Sequence, residues 1–393
     1  MLKNFLILKI GKKMTQLSYK SAEKLSKMIL KKEISSLELL EYFISRVEKF
    51  NPDINAIIVK DYENAKKAAV KADNLLSKGN IMGPLHGVSM TIKDSYDLAG
   101  TVTSRGNPAL KDNIATKDAL SIERLKNAGA IIFGKTNVPY NLADFQSYND
   151  IYGTTNNPWD LTRSPGGSSG GSAAALAAGL TGFETGSDIG GSIRNPAHFC
   201  GVFGHKPTWG LLPPRGHAAP NVLSQSDLTV IGPLGRSAQD LETGVLVMGG
   251  PDEIDGAGLK MDLEKSNKTS LREYKVAAWT NFDFAPVSQE TQNRVNNIAE
   301  TILKNKGIVN FEAKPDFDLI ESMDTYASLL HPTMASRSSE EDYQKLLDKL
   351  EKIESSDNNK STTLDPTHDS QSEYTLRKQL SSLRDYNIAN EKR

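Results

Sequence analysis

The chain has 393 residues, of which 38% are hydrophobic and 24% are charged, and its formal net charge is -1. This length and composition predict a substantial core, which excludes a disordered protein, a collagen and a small disulfide scaffold. The balanced charge gives no support to a polyanionic partner such as nucleic acid. The single cysteine, Cys200, excludes an internal disulfide, and a chain so poor in thiols is expected in the cytoplasm.

The first residues are interpreted as an extension and not as a targeting segment. The apolar run at residues 5–8 is interrupted by Lys9 and is too short for a signal-peptide core. No run approaches the roughly 18 apolar residues of a membrane span, so no contact with a membrane is expected. We expect residues 1–17 to be a disordered or mispredicted extension, with Met14 as an alternative start.

Helical and strand patterns then alternate along the chain. Ser35 and Glu38 form the pattern of a capping box, with Ile34 and Leu39 as its hydrophobic staple, and apolar residues continue at helical spacing until Pro52. Strands are predicted at residues 54–59, 88–92, 130–133, 276–279 and 307–311, and helices at residues 118–128, 237–248 and 288–304. This alternation predicts an α/β fold with a mixed central β-sheet covered by helices on both faces.

The end of the chain has a different composition. Residues 336–393 are polar and charged and contain no strand pattern, so we expect solvated helices and a loop at residues 355–372. The sequence therefore predicts one domain at residues 18–335, followed by a polar helical tail or insertion at residues 336–393.

Two patterns that suggest a cofactor are interpreted otherwise. Gly129 together with the run Gly134-Lys135-Thr136 fits a phosphate-binding loop, but the residues between them have the pattern of a buried strand. Three residues match no familiar metal-ligand spacing, so packing is their expected role: His198, Cys200 and His205. No metal and no organic cofactor is expected.

Glycine is concentrated in one part of the chain, since eleven of the 30 glycines fall between Gly166 and Gly204. Two segments there combine glycine with serine, at residues 163–172 and 186–196, and they flank a short apolar helix at residues 173–178 and a strand. Glycine is enriched where the backbone must approach a ligand closely. We predict that the two segments form opposing walls of a pocket.

The residues alone leave two kinds of serine chemistry open. Residues 167–171 fit the G-x-S-x-G elbow, which would make Ser169 a nucleophile and require one of three histidines as its base: His217, His331 or His368. Alternatively, Lys93 ends a buried strand, where burial lowers the pKa of a lysine and allows it to act as a neutral base. A purely structural pairing of Lys93 with Asp94 is the third interpretation.

The chain closely resembles the amidase signature family of serine hydrolases. The resemblance covers roughly residues 18–315, and its motifs lie at residues 87–94, 134–137, 155–160, 163–178, 186–196 and 204–208. It implies the amidase signature fold and a triad with Ser192 as nucleophile, Ser168 as the serine that follows a cis peptide bond, and Lys93 as base. It further implies that the backbone N–H groups of Ile189, Gly190, Gly191 and Ser192 form the oxyanion hole. The residues implied to bind substrate or support the site are Gly167, Ser169, Asp188 and Arg194.

This resemblance implies that the chain hydrolyses a carboxylic amide to a carboxylate and an amine or ammonia through an acyl-enzyme. The expected partner is a small-molecule amide, and a homodimer is the assembly considered. Because Lys93 must be neutral, activity is expected to rise toward alkaline pH. The loops at residues 140–152 and 211–223 are expected to set the substrate preference.

Two alternatives accompany this hypothesis. One is the A-type component of glutamyl-tRNA amidotransferase, although residues 146–149 and 204–217 look more like stand-alone amidases. The other is a truncated amidase without hydrolase activity, since members of the family normally continue with further C-terminal strands. Under that expectation the polar tail is the start of a truncated C-terminal region.

Overall fold

The structure is a computed structural model that describes residues 17–217, 222, 224–282, 285–336, 338–356 and 373–393. The predicted extension with its alternative start at Met14 therefore lies outside the described residues except for Leu17, and so does most of the predicted loop at residues 355–372. The chain divides into two compact units, Met1–Met261 and Asp262–Arg393. The domain boundaries after residues 17 and 335 stay predictions.

The strands of the first unit form a mixed arrangement. β3 lies between β1 and β2, antiparallel to β1 and parallel to β2, while β8 lies between β6 and β7 and is antiparallel to both. β4 and β5 form a short antiparallel hairpin. The predicted α/β class with a mixed sheet among helices is confirmed. The strands are β1 (Ile57–Lys60), β2 (Ser89–Lys93), β3 (Ile131–Thr136), β4 (Tyr148–Asn149), β5 (Gly153–Thr154), β6 (Glu184–Asp188), β7 (Phe203–Gly204) and β8 (Val230–Gly235).

The two three-stranded sheets meet where β2 lies beside β6. No regular ladder joins these two strands, and the link is made by side chains and by the turn before β6. The Gly182 N–H donates to the Ser89 carbonyl at 3.1 Å, and the Thr91 N–H donates to Thr181 Oγ1 at 2.9 Å. Thr91 Oγ1 in turn donates to Glu184 Oε1 at 2.6 Å. Side-chain and turn hydrogen bonds therefore join the two sheets where β2 and β6 lie side by side.

Helices of the first unit cover these strands. Ser35 and Glu38 form the predicted capping box, but the helix runs two residues past Pro52 and ends at Asn55, whose φ of 53° is left-handed. Leu39, Phe43 and Val47 on this helix are fully buried, as their spacing predicts. The helices are Ala22–Leu30, Ser36–Ile54, Tyr62–Ser77, Leu120–Asn127, Gly170–Ala177, Arg194–Cys200 and Ala238–Met248, with short 3-10 turns at Pro108–Leu110, Tyr140–Leu142 and Asp255–Ala257.

The second unit is built around a parallel strand pair. β9 (Lys275–Ala277) and β10 (Ile308–Asn310) are parallel and are connected through the helix Gln289–Lys304, as the alternating pattern predicts. The remaining helices are Leu319–Ala335, Glu340–Ser356, Glu373–Gln379 and Leu383–Lys392, and a 3-10 turn lies at Leu271–Glu273. None of the described helices in either unit is long and apolar enough to cross a bilayer.

Candidate active site

The two glycine- and serine-rich segments lie against each other. The Ser169 N–H donates to the Ser192 carbonyl at 3.1 Å, and the Gly167 N–H donates to Asn195 Oδ1 at 3.1 Å. The first segment leads into the helix Gly170–Ala177, and the second begins within β6 and ends in the helix Arg194–Cys200. The fold therefore holds the hydroxyl-bearing residues of both segments next to the end of β2.

Lys93 is the last residue of β2 and is fully buried. Its Nζ lies 2.7 Å from Ser168 Oγ and 3.0 Å from Ser187 Oγ. Burial holds the pKa of Lys93 well below its usual range, the charge of Arg105 lowers it further, and the carboxylates of Asp188 and Glu184 oppose this change. A neutral amine at this position can accept a proton from a serine hydroxyl.

Asp94 does not pair with Lys93, which decides against the structural interpretation of that lysine. Consecutive strand residues point to opposite faces, and Asp94 Oδ1 lies 3.2 Å from Lys135 Nζ with both side chains fully buried. Lys135 belongs to β3, so the pattern resembling a phosphate-binding loop is a buried strand, as predicted. The Lys135 ammonium also donates to the Val102 carbonyl at 2.6 Å and to Thr103 Oγ1 at 2.7 Å.

The turn that carries Ser168 leaves no space for a side chain at Gly167. A Cβ built on Gly167 would lie 2.3 Å from the Gln146 carbonyl oxygen and 2.7 Å from the Asp144 carbonyl oxygen. The peptide bond between Gly167 and Ser168 is cis, as the resemblance implies. Gly167 is thus required because another stretch of backbone, residues 144–146, packs directly on the turn.

Asp188 organises the loop that leads to Ser192. Its Oδ1 accepts the Gly191 N–H at 2.9 Å and its Oδ2 accepts the Ile193 N–H at 3.0 Å. The guanidinium of Arg194 adds contacts of 3.1 and 2.8 Å to the two oxygens. Burial alone would raise the pKa of Asp188, but Arg194 and the Ile193 N–H hold it below its ordinary value. The ionised carboxylate fixes the loop before and after Ser192.

The four predicted oxyanion donors are not equivalent in this structure. The Gly191 N–H is bonded to Asp188, and Ile189 has an interaction partner of its own. Within the part of the chain that the structure describes, the N–H groups of Gly190 and Ser192 have no protein acceptor. Ser192 is 7% exposed and Ser168 is 1% exposed, so Ser192 is the more accessible of the two serines.

Ser169, the alternative nucleophile, contacts backbone. Its Oγ lies 3.4 Å from both the carbonyl oxygen and the N–H nitrogen of Ser187. His217 forms its hydrogen bond through Nε2 with Ser95 Oγ at 2.8 Å, and burial holds the pKa of His217 well below its usual range. His368 lies outside the described residues, and His331 lies in the second unit.

Sequence reasoning missed three features of the site. Ser187 lies in the second glycine- and serine-rich segment, so its hydroxyl was visible as a candidate ligand for a base. Glu184 is fully buried, and burial raises the pKa of its carboxyl to about 7. The sequence indicates this group only by placing one acidic residue directly after the mainly apolar residues 173–183. Phe145 has its ring close to Gly191, a contact that no local pattern indicates.

Cys200 and His198, two of the residues considered as metal ligands, contact backbone or an aromatic ring. Cys200 is buried, burial raises the pKa of its thiol to about 12, and its Sγ donates to the Pro165 carbonyl at 3.4 Å. The ring of His198 contacts that of Phe199 edge-on. Among the described residues, no three His, Cys, Asp or Glu side chains are grouped so that they could hold a metal ion.

Comparison with known proteins identifies the family. A sequence profile described as "Amidase" matches residues 38–387. An acylamidase from Rhodococcus erythropolis is 36% identical over 277 residues, which are 70% of this chain and 57% of the relative. The A-type component of the glutamyl-tRNA(Gln) amidotransferase from Methylobacillus flagellatus is 41% identical over 244 residues, which are 62% of this chain and 49% of the relative.

Solved structures agree with the sequence relatives. A fatty acid amide hydrolase superposes with a TM-score of 0.79 at 25% identity, and the match covers 96% of this chain and 64% of that chain. The fold that the resemblance implies is confirmed. The chain spans about half the length of the curated relatives it matches.

Proposed function

The chain belongs to the amidase family, and from this premise we propose that it hydrolyses a small-molecule carboxylic amide, with Ser192 as nucleophile, Ser168 as proton relay and Lys93 as base. The observation that carries the proposal is the 2.7 Å contact between the buried Lys93 Nζ and Ser168 Oγ. No charged group lies within hydrogen-bond distance of this amine among the contacts that the structure describes, since both of its partners are hydroxyls. Lys93 can therefore be neutral and basic.

The proposed reaction begins with two proton transfers. Ser168 gives its proton to neutral Lys93 and takes the proton of Ser192, whose oxygen attacks the amide carbonyl. The tetrahedral intermediate collapses, the C–N bond breaks, and the proton held by Lys93 returns through Ser168 to the leaving nitrogen. Water then attacks the acyl-enzyme through the same relay, which releases the carboxylate and restores Ser192.

The oxyanion of the intermediate needs donors near Ser192. The N–H groups of Gly190 and Ser192 are the proposed donors in the arrangement described above, and Asp188 holds their loop in place. By analogy with other serine hydrolases, the loss of one such donor costs roughly 3–4 kcal/mol of transition-state stabilisation. Gly191 joins them only if its N–H exchanges its bond to Asp188 for the substrate.

Labelling with a fluorophosphonate serine probe, followed by peptide mapping, tests this proposal. We expect one adduct on Ser192 that disappears in Ser192→Ala and persists in Ser169→Ala, a matched serine in the neighbouring segment. An adduct on Ser169 would overturn the assignment in favour of the elbow. The absence of any adduct on correctly folded protein would favour an inactive chain.

A second function has a specific observation in its favour. The relative from Methylobacillus flagellatus, at 41% identity, is named as the A-type component of a glutamyl-tRNA(Gln) amidotransferase. If this chain has the same role, it should copurify with partner proteins and show little hydrolysis without them. Purification as a single species, in the cytoplasmic fraction and as a homodimer, is the expectation of the stand-alone amidase.

A further inference from the structure

Residues 144–147, here called the 144–147 segment, pass over both serine-bearing loops. We propose that Phe145 in this segment determines specificity by packing against the apolar substituent of the amide, which makes aromatic and bulky aliphatic amides the preferred class. The inference rests on the proposed function, because Ser192 defines where the scissile carbonyl lies. The proposed contact between Phe145 and the apolar substituent is separate from the contacts of the proposed catalytic residues.

The ring of Phe145 lies beside the residue that precedes the nucleophile. A Cβ built on Gly191 would be 3.2 Å from Phe145 Cε1 and 3.8 Å from Cζ. Gly191 has no side chain, so the loop presents bare backbone toward the ring. Gly191 lies between Gly190 and Ser192, so a carbonyl bound by the N–H groups of those two residues would lie next to the residue that the ring contacts.

The 144–147 segment is hydrogen-bonded on both sides of Phe145. Asp144 Oδ1 accepts the Gln146 N–H at 3.1 Å, and Asp144 Oδ2 accepts the Tyr148 hydroxyl at 3.0 Å. Ser147 Oγ accepts the Gly170 N–H at 3.0 Å and donates to the Gly166 carbonyl at 3.2 Å. The backbone position of Phe145 is therefore tied to the turn that carries Ser168, and ligand binding has little to reorganise.

The exposure of the ring distinguishes it from core aromatics. Phe145 is 52% exposed, whereas Phe43, Phe133 and Phe183 are fully buried. A single exposed aromatic residue is ordinary on a protein surface. At this position, however, one edge of the ring contacts the catalytic loop while the rest is free to cover an apolar ligand. Covering that surface removes apolar area from water, which favours the bound amide.

Equilibrium binding in the Ser192→Ala background tests the inference without requiring turnover. Ligand-observed NMR titrations would compare benzamide and acetanilide, which carry a phenyl ring on either side of the amide, with acetamide. We expect at least one of the phenyl ligands to bind more tightly than acetamide, and Phe145→Ala to weaken that ligand about tenfold. Phe145→Leu should restore most of the affinity that Phe145→Ala loses. Phe203→Ala removes a 50% exposed ring on β7 and should leave the affinity for the phenyl ligand unchanged.

The possible results separate this inference from the proposed function. Phenyl ligands that bind no better than acetamide, or that bind equally well with and without Phe145, would overturn the role of Phe145 whatever the enzyme hydrolyses. Phe145-dependent binding in a protein whose Ser192 takes no fluorophosphonate would retain the subsite and reject the catalytic assignment. An adduct on Ser192 in Phe145→Ala shows that the substitution leaves the site assembled.

Discussion

Two buried lysines lie on neighbouring strands, and their surroundings differ. On one side of β2, the hydrogen-bond partners of Lys93 Nζ among the described residues are the hydroxyls of Ser168 and Ser187. On the other side, Lys135 forms an ion pair with Asp94 at 3.2 Å, and Ser104 Oγ donates to Asp94 Oδ2 at 2.5 Å. Burial lowers the pKa of both lysines, but the adjacent carboxylate opposes this effect at Lys135.

The surroundings of Lys93 fit the proposed role of a base, whereas those of Lys135, on the other side of the same sheet, fit a structural cation. A buried amine without a carboxylate partner loses its proton readily, whereas a paired one keeps it and stabilises the fold only while its partner is intact. Residue type and burial are the same at the two positions. The neighbours supplied by β6 and by residues 102–104 decide the role of each lysine.

Replacing Lys93 with Met gives the sharpest test of this contrast. The change removes the proposed base but nearly keeps the side-chain volume, so labelling of Ser192 and amide hydrolysis should fall by about a thousandfold or more. Because the amine contributes no buried ion pair, the thermal midpoint should not be lowered. Probe kinetics and a thermal melt on the same sample measure both quantities, and a large loss of stability with labelling retained would reverse the assigned roles.

Replacing Asp94 with Asn should have the complementary effect. It leaves the Lys135 ammonium buried without a carboxylate, which typically lowers the free energy of unfolding by about 3–5 kcal/mol. The double variant Asp94→Asn/Lys135→Met removes the unpaired charge and should recover much of the loss. Chemical denaturation of the two variants measures this, and equal destabilisation in both would show that the unpaired ammonium is not the cause of the loss.

Glu184 supplies a test based on pH. It bonds to Thr91, which precedes Lys93 by two residues and so lies on the same side of β2. The folded protein keeps Glu184 protonated up to a pKa of about 7, while the unfolded chain ionises near the ordinary glutamate value of 4.5. The free energy of unfolding therefore falls as pH rises from 4.5 to 7, by something on the order of 3 kcal/mol from this group.

The variant Glu184→Gln cannot ionise and should lack this decrease. The free energy of unfolding of the variant minus that of the wild type should increase between about pH 4.5 and about pH 8, because only the wild type has a buried carboxyl that ionises in this range. Denaturation curves at several pH values measure the difference. A gap that stays constant with pH would mean that Glu184 acts through its hydrogen bonds alone.

The smallest effect is expected for a matched ion pair near the surface. In the second unit, Lys378 Nζ lies 2.8 Å from Asp324 Oδ1, and the two side chains are 22% and 33% exposed. Asp324→Asn makes the same chemical change as Asp94→Asn, but solvent screens the remaining charge, so the loss should be about 1 kcal/mol or less. A loss as large as that of Asp94→Asn would show that burial is not what separates the two pairs.

Much of the fold could be predicted from local patterns. The capping box of Ser35 and Glu38 can be recognised from four consecutive residues. Strands β2 and β3 can each be recognised from one short apolar run. The two glycine- and serine-rich segments lie against each other, with the Ser169 N–H donating to the Ser192 carbonyl, while the pocket that they were expected to enclose stays a prediction. These features depend on residues near one another in the sequence.

What could not be predicted depends on long-range contacts. The partner of Asp94 is Lys135 on the neighbouring strand β3 and not the adjacent Lys93, a choice made by strand pairing and side-chain alternation. The use of the Gly191 N–H by Asp188 follows from the folded shape of the loop and not from its glycine content. Phe145 approaches Gly191 only because residues 144–146 pack on Gly167.

The tight packing on Gly167 has a consequence for the evolvability of this site. Any side chain there would collide with the backbone of Gln146 and Asp144, neither of which can move away as a flexible side chain could. A saturation library selected for folded protein should therefore return only glycine at position 167, whereas the half-exposed position 145 should tolerate many amino acids. A new substrate range would therefore arise from substitutions in residues 144–147, which pack on the turn that carries Ser168, while the turn itself keeps its sequence.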